Sequence, residues 1–595
     1  MNKKPAVAIL TAVLLTAPLH ALPPFTLLLP EDAKSLTPAG EAIECGIFTV
    51  VPVEGQNFKD AVRVETIKTA PFPYNVRVQA TTKAPIKKGD TLSAEFTARR
   101  IKSRQETGEA LVAVIFERSE KPHEKSLERD LSVGPDWTPI RIPFRADRDA
   151  EAGEMQLSLR VGYPPQTLEI GGVKLLNYGS NVDPKDLPKT DFSYAGREPD
   201  APWRKEAAAR IDNIRKGDLR MEVSDAHGRP VPGAKVEVRM KRHAFGFGTA
   251  IRSDWIVGDS TDHERYRETL KNYFNKAVFE DDIKWHNWID ASPEGNKRRD
   301  HVMAALDWME ANHITPRGHV MVWPSWPRVP EFVKNLQNDP PKLRQVILDH
   351  IAAQTSVLGK RLAEWDVINE SYAHNDIMNV LGRGAMVEWF KAAHDGAPDV
   401  KLFYNDYVMF DGSGPDSPSQ YYYDTIKFLL EQGAPIGGLG EQGHFGGSPP
   451  PPPRIIEVLD RFGELGLPIQ ITEFDIDTSD VETQVAYTRD FLTAVFSHPA
   501  ISGVMCWGFW EGRHWKPRAA FWSKDWQLRP NGEVWVDLTT KRWWTDADLE
   551  TDEDGKAALR GFLGDYEVTV TAPDGKKAAK SFTLSRDSST LKLQL

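Results

Sequence analysis

Two glutamates stand where apolar runs end: Glu370 in WDVINES (365–371) and Glu473 in PIQITEFD (468–475). A carboxyl at such a position leaves the core at the tip of a strand, and two of them converging on one bond can divide the labour of proton transfer and nucleophilic attack. Glycoside cleavage is one chemistry open to such a pair, where a gap of about 5 to 5.5 Å lets the second carboxylate attack carbon with retention and about 6.5 to 9.5 Å leaves room for water and inversion. Spacing in the chain fixes neither gap. Other polar and aromatic residues also fall at the ends of apolar runs: Glu280 with Lys284, His319 with Trp323, Asn369, Asn405 with Asp406, Gln442 with His444, Asp475, and Trp507.

The elements that must hold these residues lie between 243 and 545. Strand patterns such as HAFGFGTA, KAVFE, ITPRGHVMVW, KLFYND, IGGLGEQ and ISGVMCW alternate with helical patterns such as RRDHVMAALDWMEAN and ETQVAYTRDFLTAVF. Eight such units in one stretch predict a (β/α)8 TIM barrel, whose chemistry sits at the carboxyl ends of the strands. No GxGxxG follows the first strand, which argues against an open doubly wound sheet. Glu370 and Glu473 are 103 residues apart. At roughly 31 to 35 residues per unit, that is three units, strands four and seven, facing each other across the mouth.

The flanks read differently. Residues 218–242 and 546–595 each carry too little sheet to stand alone and are expected to pair into one small β-sandwich beside the barrel. Residues 40–180 alternate with period two between Gly, Pro and Asp turns, the pattern of a β-sandwich, with Trp137 and Tyr163 as candidate ligand-facing aromatics. The polar, Pro-rich stretch at 181–217 is expected to be a linker. Residues 1–21 have Lys3 and Lys4, an apolar run and a small-residue exit, the pattern of a signal peptide, so an exported protein, periplasmic or extracellular, is expected with no membrane span. Without Lys3 and Lys4 the formal charge moves from -11 to -13, which argues against a nucleic-acid partner. Cys45 and Cys506 are expected to be free thiols, and the absence of CxxC and HExxH gives no spacing for a metal site. Oligomeric state is not legible.

The motifs WDVINE (365–370), ITEFDI (471–476), RGHVMVW (317–323), LFYNDY (402–407), GLGEQGH (438–444) and CWGFWEGRHW (506–515) together resemble, in order, those of glycoside hydrolase family 10, the retaining endo-xylanases. The N-terminal sandwich more loosely resembles the carbohydrate-binding modules attached to polysaccharide hydrolases. The family resemblance implies an exported retaining endo-glycoside hydrolase acting on β-1,4-linked xylan or a related β-glycan, without metal or organic cofactor. It implies Glu370 as general acid/base and Glu473 as nucleophile, with His444 and Asp475 supporting the nucleophile. Asn369 would meet the sugar 2-hydroxyl, Glu280, Lys284, His319, Trp323 and Gln442 would form the polar floor around the reacting sugar, and Trp507 and Trp515 would wall it. The acid would need its pKa raised by an apolar wall and by the charge of Glu473.

Two departures from the family pattern weaken the claim of plain xylan. Glu280-Asp281 stands where the family has Glu-Asn, and Pro324-Ser325-Trp326 where it has His-Ser-Gln, so Trp326 either fills the groove or supplies a new stacking face. The run GGSPPPPPR (446–454) is expected either to narrow the cleft or to be a solvated loop. A non-catalytic carbohydrate binder on a degenerate barrel is the alternative of another class.

Overall fold

The computed structural model describes residues 23–29, 35–105, 107–190, 194–587 and 589–595. The expected signal peptide at 1–21 lies outside them. Two compact units result, one formed by residues up to 101 with 111–131 and 136–191, the other by 192–595 with 102–110 and 132–135.

The first unit is a two-sheet sandwich. One sheet has the order Gly46–Pro52, Asp60–Thr66, Gln166–Asn177, Thr91–Ser103, Thr138–Arg145, and the other Thr37–Ala39, Arg77–Thr81, Met155–Arg160, Ala110–Arg118, Lys125–Val133. Alternation along the strands accounts for the layering, since Leu92, Ala94, Phe96 and Ala98 are all buried. Trp137 adjoins the first sheet, covered by Arg99 at 4.7 Å, and Tyr163 follows a strand of the second.

The second unit contains the barrel. Its parallel strands are β1 (Gly246–Ile251), β2 (Lys276–Phe279), β3 (Thr315–Gly318), β4 (Glu364–Asn369), β5 (Lys401–Asp406), β6 (Gly438–Glu441), β7 (Ile469–Ile476) and β8 (Ile501–Cys506). They pair in sequence, β8 closes on β1 in register Gly246↔Gly503, and β6 meets β7 at Leu439↔Ile469. Strands buried on both faces read as continuous apolar runs, and β4 and β7 are buried at every position.

Charges break those runs on the barrel floor. Lys276 Nζ lies 2.8 Å from Glu364 Oε1, Arg317 bridges Glu364 and Asp366, and Asp366 reaches His319 Nδ1 at 3.0 Å. Arg317 is fully buried and its guanidinium also lies 4.2 Å from the Phe403 ring centre. A buried ion this far from water persists only when every charge has a partner, and this column supplies them from β2, β3 and β4.

The flanking segments interleave. Lys216–Ser224 lies between Lys556–Phe562, antiparallel, and Ser589–Gln594, parallel; Lys235–His243 lies between Asp546–Glu550 and Gly564–Thr571. Val236, Val238, Leu219, Met221, Val568 and Val570 bury between the two sheets.

The expected linker is corrected in part. Pro202–Arg215 is a helix with Pro202 in its first turn, and Trp203, Ala207 and Ile211 bury one stripe. Arg204 pairs with the buried Asp490 at 2.6 Å, and Arg215 donates to the carbonyls of Phe496, His498 and Ile501. The segment is charged because it docks through arginines. The run at 446–454 likewise ends in a helix: Pro452–Gly463 starts within the prolines, where a missing N–H costs nothing. Cys45 and Cys506 are both free and buried. Among the described residues no helix is long and apolar enough to cross a membrane.

Candidate active site

The barrel brings Glu370 and Glu473 together through asparagines. Asn369 and Asn405 face each other in register on β4 and β5. Asn405 Nδ2 donates to Asn369 Oδ1 and to Glu473 Oε1, both at 2.9 Å, while Asn369 Nδ2 donates to Glu370 Oε1 at 3.1 Å. Thr472 Oγ1 donates to Asn405 Oδ1 at 2.7 Å, so that amide is fully engaged. Gly440 on β6 makes the close approach possible: a Cβ there would lie 2.2 Å from Asn405 Oδ1. The two carboxylates thus end one continuous chain of hydrogen bonds, and each is nearly buried, Glu370 at 3% and Glu473 at 4% exposure.

Local irregularities aim them. The ladder between β7 and β8 slips between Ile471 and Phe474, a bulge that surrounds Glu473. Glu370 takes a φ of +57° as the chain leaves β4.

Glu473 is held by a second chain. His444 Nε2 lies 3.2 Å from Glu473 Oε2 and its Nδ1 lies 3.0 Å from Asp475 Oδ2, a position fixed by the short strand His444–Phe445 pairing with β7 at His444↔Asp475. Trp515 Nε1 donates to Asp475 Oδ2 at 2.7 Å. Burial works against charging the ring of His444, but Asp475 and Glu473 outweigh it and raise its pKa well above the ordinary value. Burial would likewise raise Asp475, but the imidazolium holds its carboxyl below the usual range. The arrangement is an imidazolium between two carboxylates.

Glu370 departs from expectation. Burial pushes its pKa up, as an apolar wall should, but the facing imidazole of His374 and its charge, aided by Gln442 and Arg328, outweigh burial and hold the carboxyl below its ordinary value. His374 Nε2 lies 3.2 Å from Glu370 Oε2, and Gln442 Nε2 donates to Oε1 at 2.7 Å. The expectation of a raised pKa is corrected for the protein without substrate.

Around this centre, Glu280 is pushed up to about 7 by burial and by the neighbouring charge of Asp281. Lys284 is drawn to Asp281 at 2.7 Å. Trp323 is covered by Arg328, 4.1 Å from its ring centre, and by Lys284 at 5.3 Å. His319 meets Trp507 edge-on at 5.2 Å, and Trp507 is 7% exposed against Ala250, Val278 and Met505, with Trp515 packed beside it. Trp326 is partly buried against the core, its backbone N–H donating to Asp376 at 2.9 Å. All the site residues expected from the sequence therefore lie at one end of the barrel. Three groups there escaped sequence reasoning: Asn405 as the bridge, Arg328 and His374. For His374 the only signal was its place four residues beyond Glu370, which carries meaning on a helix but not in a turn.

A family model described as Glycosyl hydrolase family 10 matches residues 237–534. "Anti-sigma-I factor RsgI6" of Acetivibrio thermocellus is 32% identical over 391 residues, covering 65% of this chain and 49% of that protein. "Endo-1,4-beta-xylanase 1" of Arabidopsis thaliana is 31% identical over 387 residues, covering 64% and 39%. The chain thus spans about half or less of the length of these relatives. Among solved structures, the CBM22-1–GH10 modules of a Clostridium thermocellum endo-1,4-beta-D-xylanase complexed with xylohexaose align over 87% of this chain and 98% of that one, at 15% identity and a TM-score of 0.42.

Proposed function

The chain belongs to glycosyl hydrolase family 10, and from that premise we propose that its barrel is a retaining endo-1,4-β-xylanase-like hydrolase of an exported protein. The observation that carries the reading is the pair Glu370 and Glu473 at the ends of β4 and β7, joined through Asn369 and Asn405. Glu473 attacks the sugar carbon while Glu370 protonates the departing oxygen; water, deprotonated by Glu370, then releases the sugar from Glu473. His444, 3.2 Å from Glu473 and backed by Asp475, holds the nucleophile in one rotamer, and Asp475 offsets the ring's charge. The match to a xylanase from Arabidopsis thaliana supports a xylan-type backbone as substrate.

The altered glycone side bears on substrate range. With Lys284 drawn to Asp281 and Trp323 capped by Arg328, hydrogen bonding and charge replace an open stacking face there. A complete acid–nucleophile pair is more than a non-catalytic binder needs. The test is digestion of xylan, arabinoxylan, glucan and mannan with product anomers followed by NMR. Release of β-anomers from xylan is expected; α-anomers or an inert protein would overturn the reading. Glu473→Ala should lose at least 10³-fold of turnover, with azide restoring it and giving an inverted product. Full activity of that variant would remove Glu473 from the nucleophile's role.

A further inference from the structure

Glu370 enters the left-handed region, rare for a residue with a side chain, and the turn it starts closes when His374 N–H donates to the Glu370 carbonyl at 2.9 Å. The same turn folds the imidazole back onto the carboxyl, Nε2 to Oε2 at 3.2 Å. Trp323 holds the ring edge-on, with centroids 5.8 Å apart and planes at 88°. Because Gln442 and Asn369 occupy Oε1, Oε2 is the oxygen left for proton traffic, and it is the one His374 faces. Glu370 is buried, whereas the side chain of His374 is 24% exposed and can exchange its proton with solvent.

We infer that Glu370 and His374 form one proton-holding couple, in which the imidazole stores the proton of the general acid and the carboxyl delivers it. The inference rests on Glu370 being the general acid. In the free protein the couple carries one proton, on Nε2. When the leaving-side sugar enters, the proton passes to Oε2 and from there to the glycosidic oxygen as the carbon–oxygen bond breaks and the Glu473 ester forms. In the second half-reaction Glu370 takes a proton from water as hydroxide displaces the ester, and the proton returns to Nε2, leaving the couple as it began.

Other charged groups face Glu370 from neighbouring elements. Arg328 adds to the pull that keeps the carboxyl ionised. Asp406 on β5, pushed up to about 8 by burial and by the charge of Glu370, stays protonated below that pH and adds no charge against the carboxylate there. Glu473, with His444 behind it, stands across the cleft. All remain when only His374 is changed, so the difference isolates the imidazole. A couple dominated by the ion-paired form loses its last proton at a higher pH than the lone carboxyl would, although its carboxyl ionises at a lower pH. Removing the imidazole should therefore move two observables in opposite directions.

The test is His374→Asn in the full chain, with folding checked by thermal melting. The basic limb of kcat/KM on xylan is expected to move down by about one pH unit or more. The ¹³C carboxyl signal of Glu370, assigned by its loss in Glu370→Gln, is expected to titrate at a higher pH than in the parent protein. A basic limb and a carboxyl midpoint that both stay put would overturn the couple, as would both moving in the same direction. The carbon signal needs no substrate, so it tests the couple even if Glu370→Gln keeps full turnover on xylan, which would instead sink the reading of Glu370 as the acid.

Discussion

Asn405 meets Glu473 directly and Glu370 through Asn369, accepting from Thr472 and donating to Asn369 and Glu473. A hydrogen bond to a charged group contributes about 1.5–3 kcal/mol, so Asn405→Ala should lower kcat/KM about 10- to 150-fold without abolishing it. Steady-state kinetics on xylan checks this, alongside Gly440→Ala, whose added methyl collides with the same amide and should mimic the loss. At this scale the strand-end residues were legible because a barrel sends its chemistry to one rim, and Glu370, Glu473, His444 and Asp475 lie there. What the sequence could not reveal was protonation. The pKa of Glu370 depends on His374, brought over by a turn with an unusual backbone angle, and no spacing rule covers such a turn.

Each barrel strand does two jobs, presenting its tip to the cleft and its lower half to the floor. The column Lys276–Glu364–Arg317–Asp366–His319 connects the two, since His319 belongs to the rim and Asp366 to the interior. Removing one member leaves an uncompensated buried charge, so Lys276→Met should destabilise the protein by about 3–5 kcal/mol, measurable by urea unfolding. Glu364 gives this network its pH dependence. Burial alone would raise its pKa, but Lys276 and Arg317 bring it down to about 2 from an ordinary 4.5. A depressed carboxyl contributes stability that is complete above about pH 4.5 and lost as pH falls toward about 2. Glu364→Gln should therefore flatten the acid limb of the stability profile in that window, read as unfolding midpoints across pH. The eight strands were legible from their apolar runs and the helical patterns between them. These floor charges were not, because a Lys or Arg in a strand is ordinarily solvated. The helix at 202–215 was missed for a related reason: its arginines dock on carbonyls and Asp490 rather than on water.

Taken as a whole molecule, the second unit is closed by segments from both sides of the barrel. Deleting 546–595 would uncover Val236, Val238, Leu219 and Met221 and strip both neighbours from Lys216–Ser224 and Lys235–His243. The expected outcome is an insoluble product or a melting temperature lowered by many degrees, seen by calorimetry against the full chain. The pairing of these flanks was legible because neither has sheet enough for a core; the parallel docking of Ser589–Gln594 was not, since alternation carries no sign of strand direction.

That interleaving also sets an order of events during synthesis. Lys216–Ser224 is made early, yet one of its partners begins at Ser589, 365 positions later. At about 5–20 residues per second, the ribosome needs roughly 20–70 s to supply it. Throughout that interval a bare strand edge hangs ahead of a barrel still being built, open to pairing with a neighbouring nascent chain.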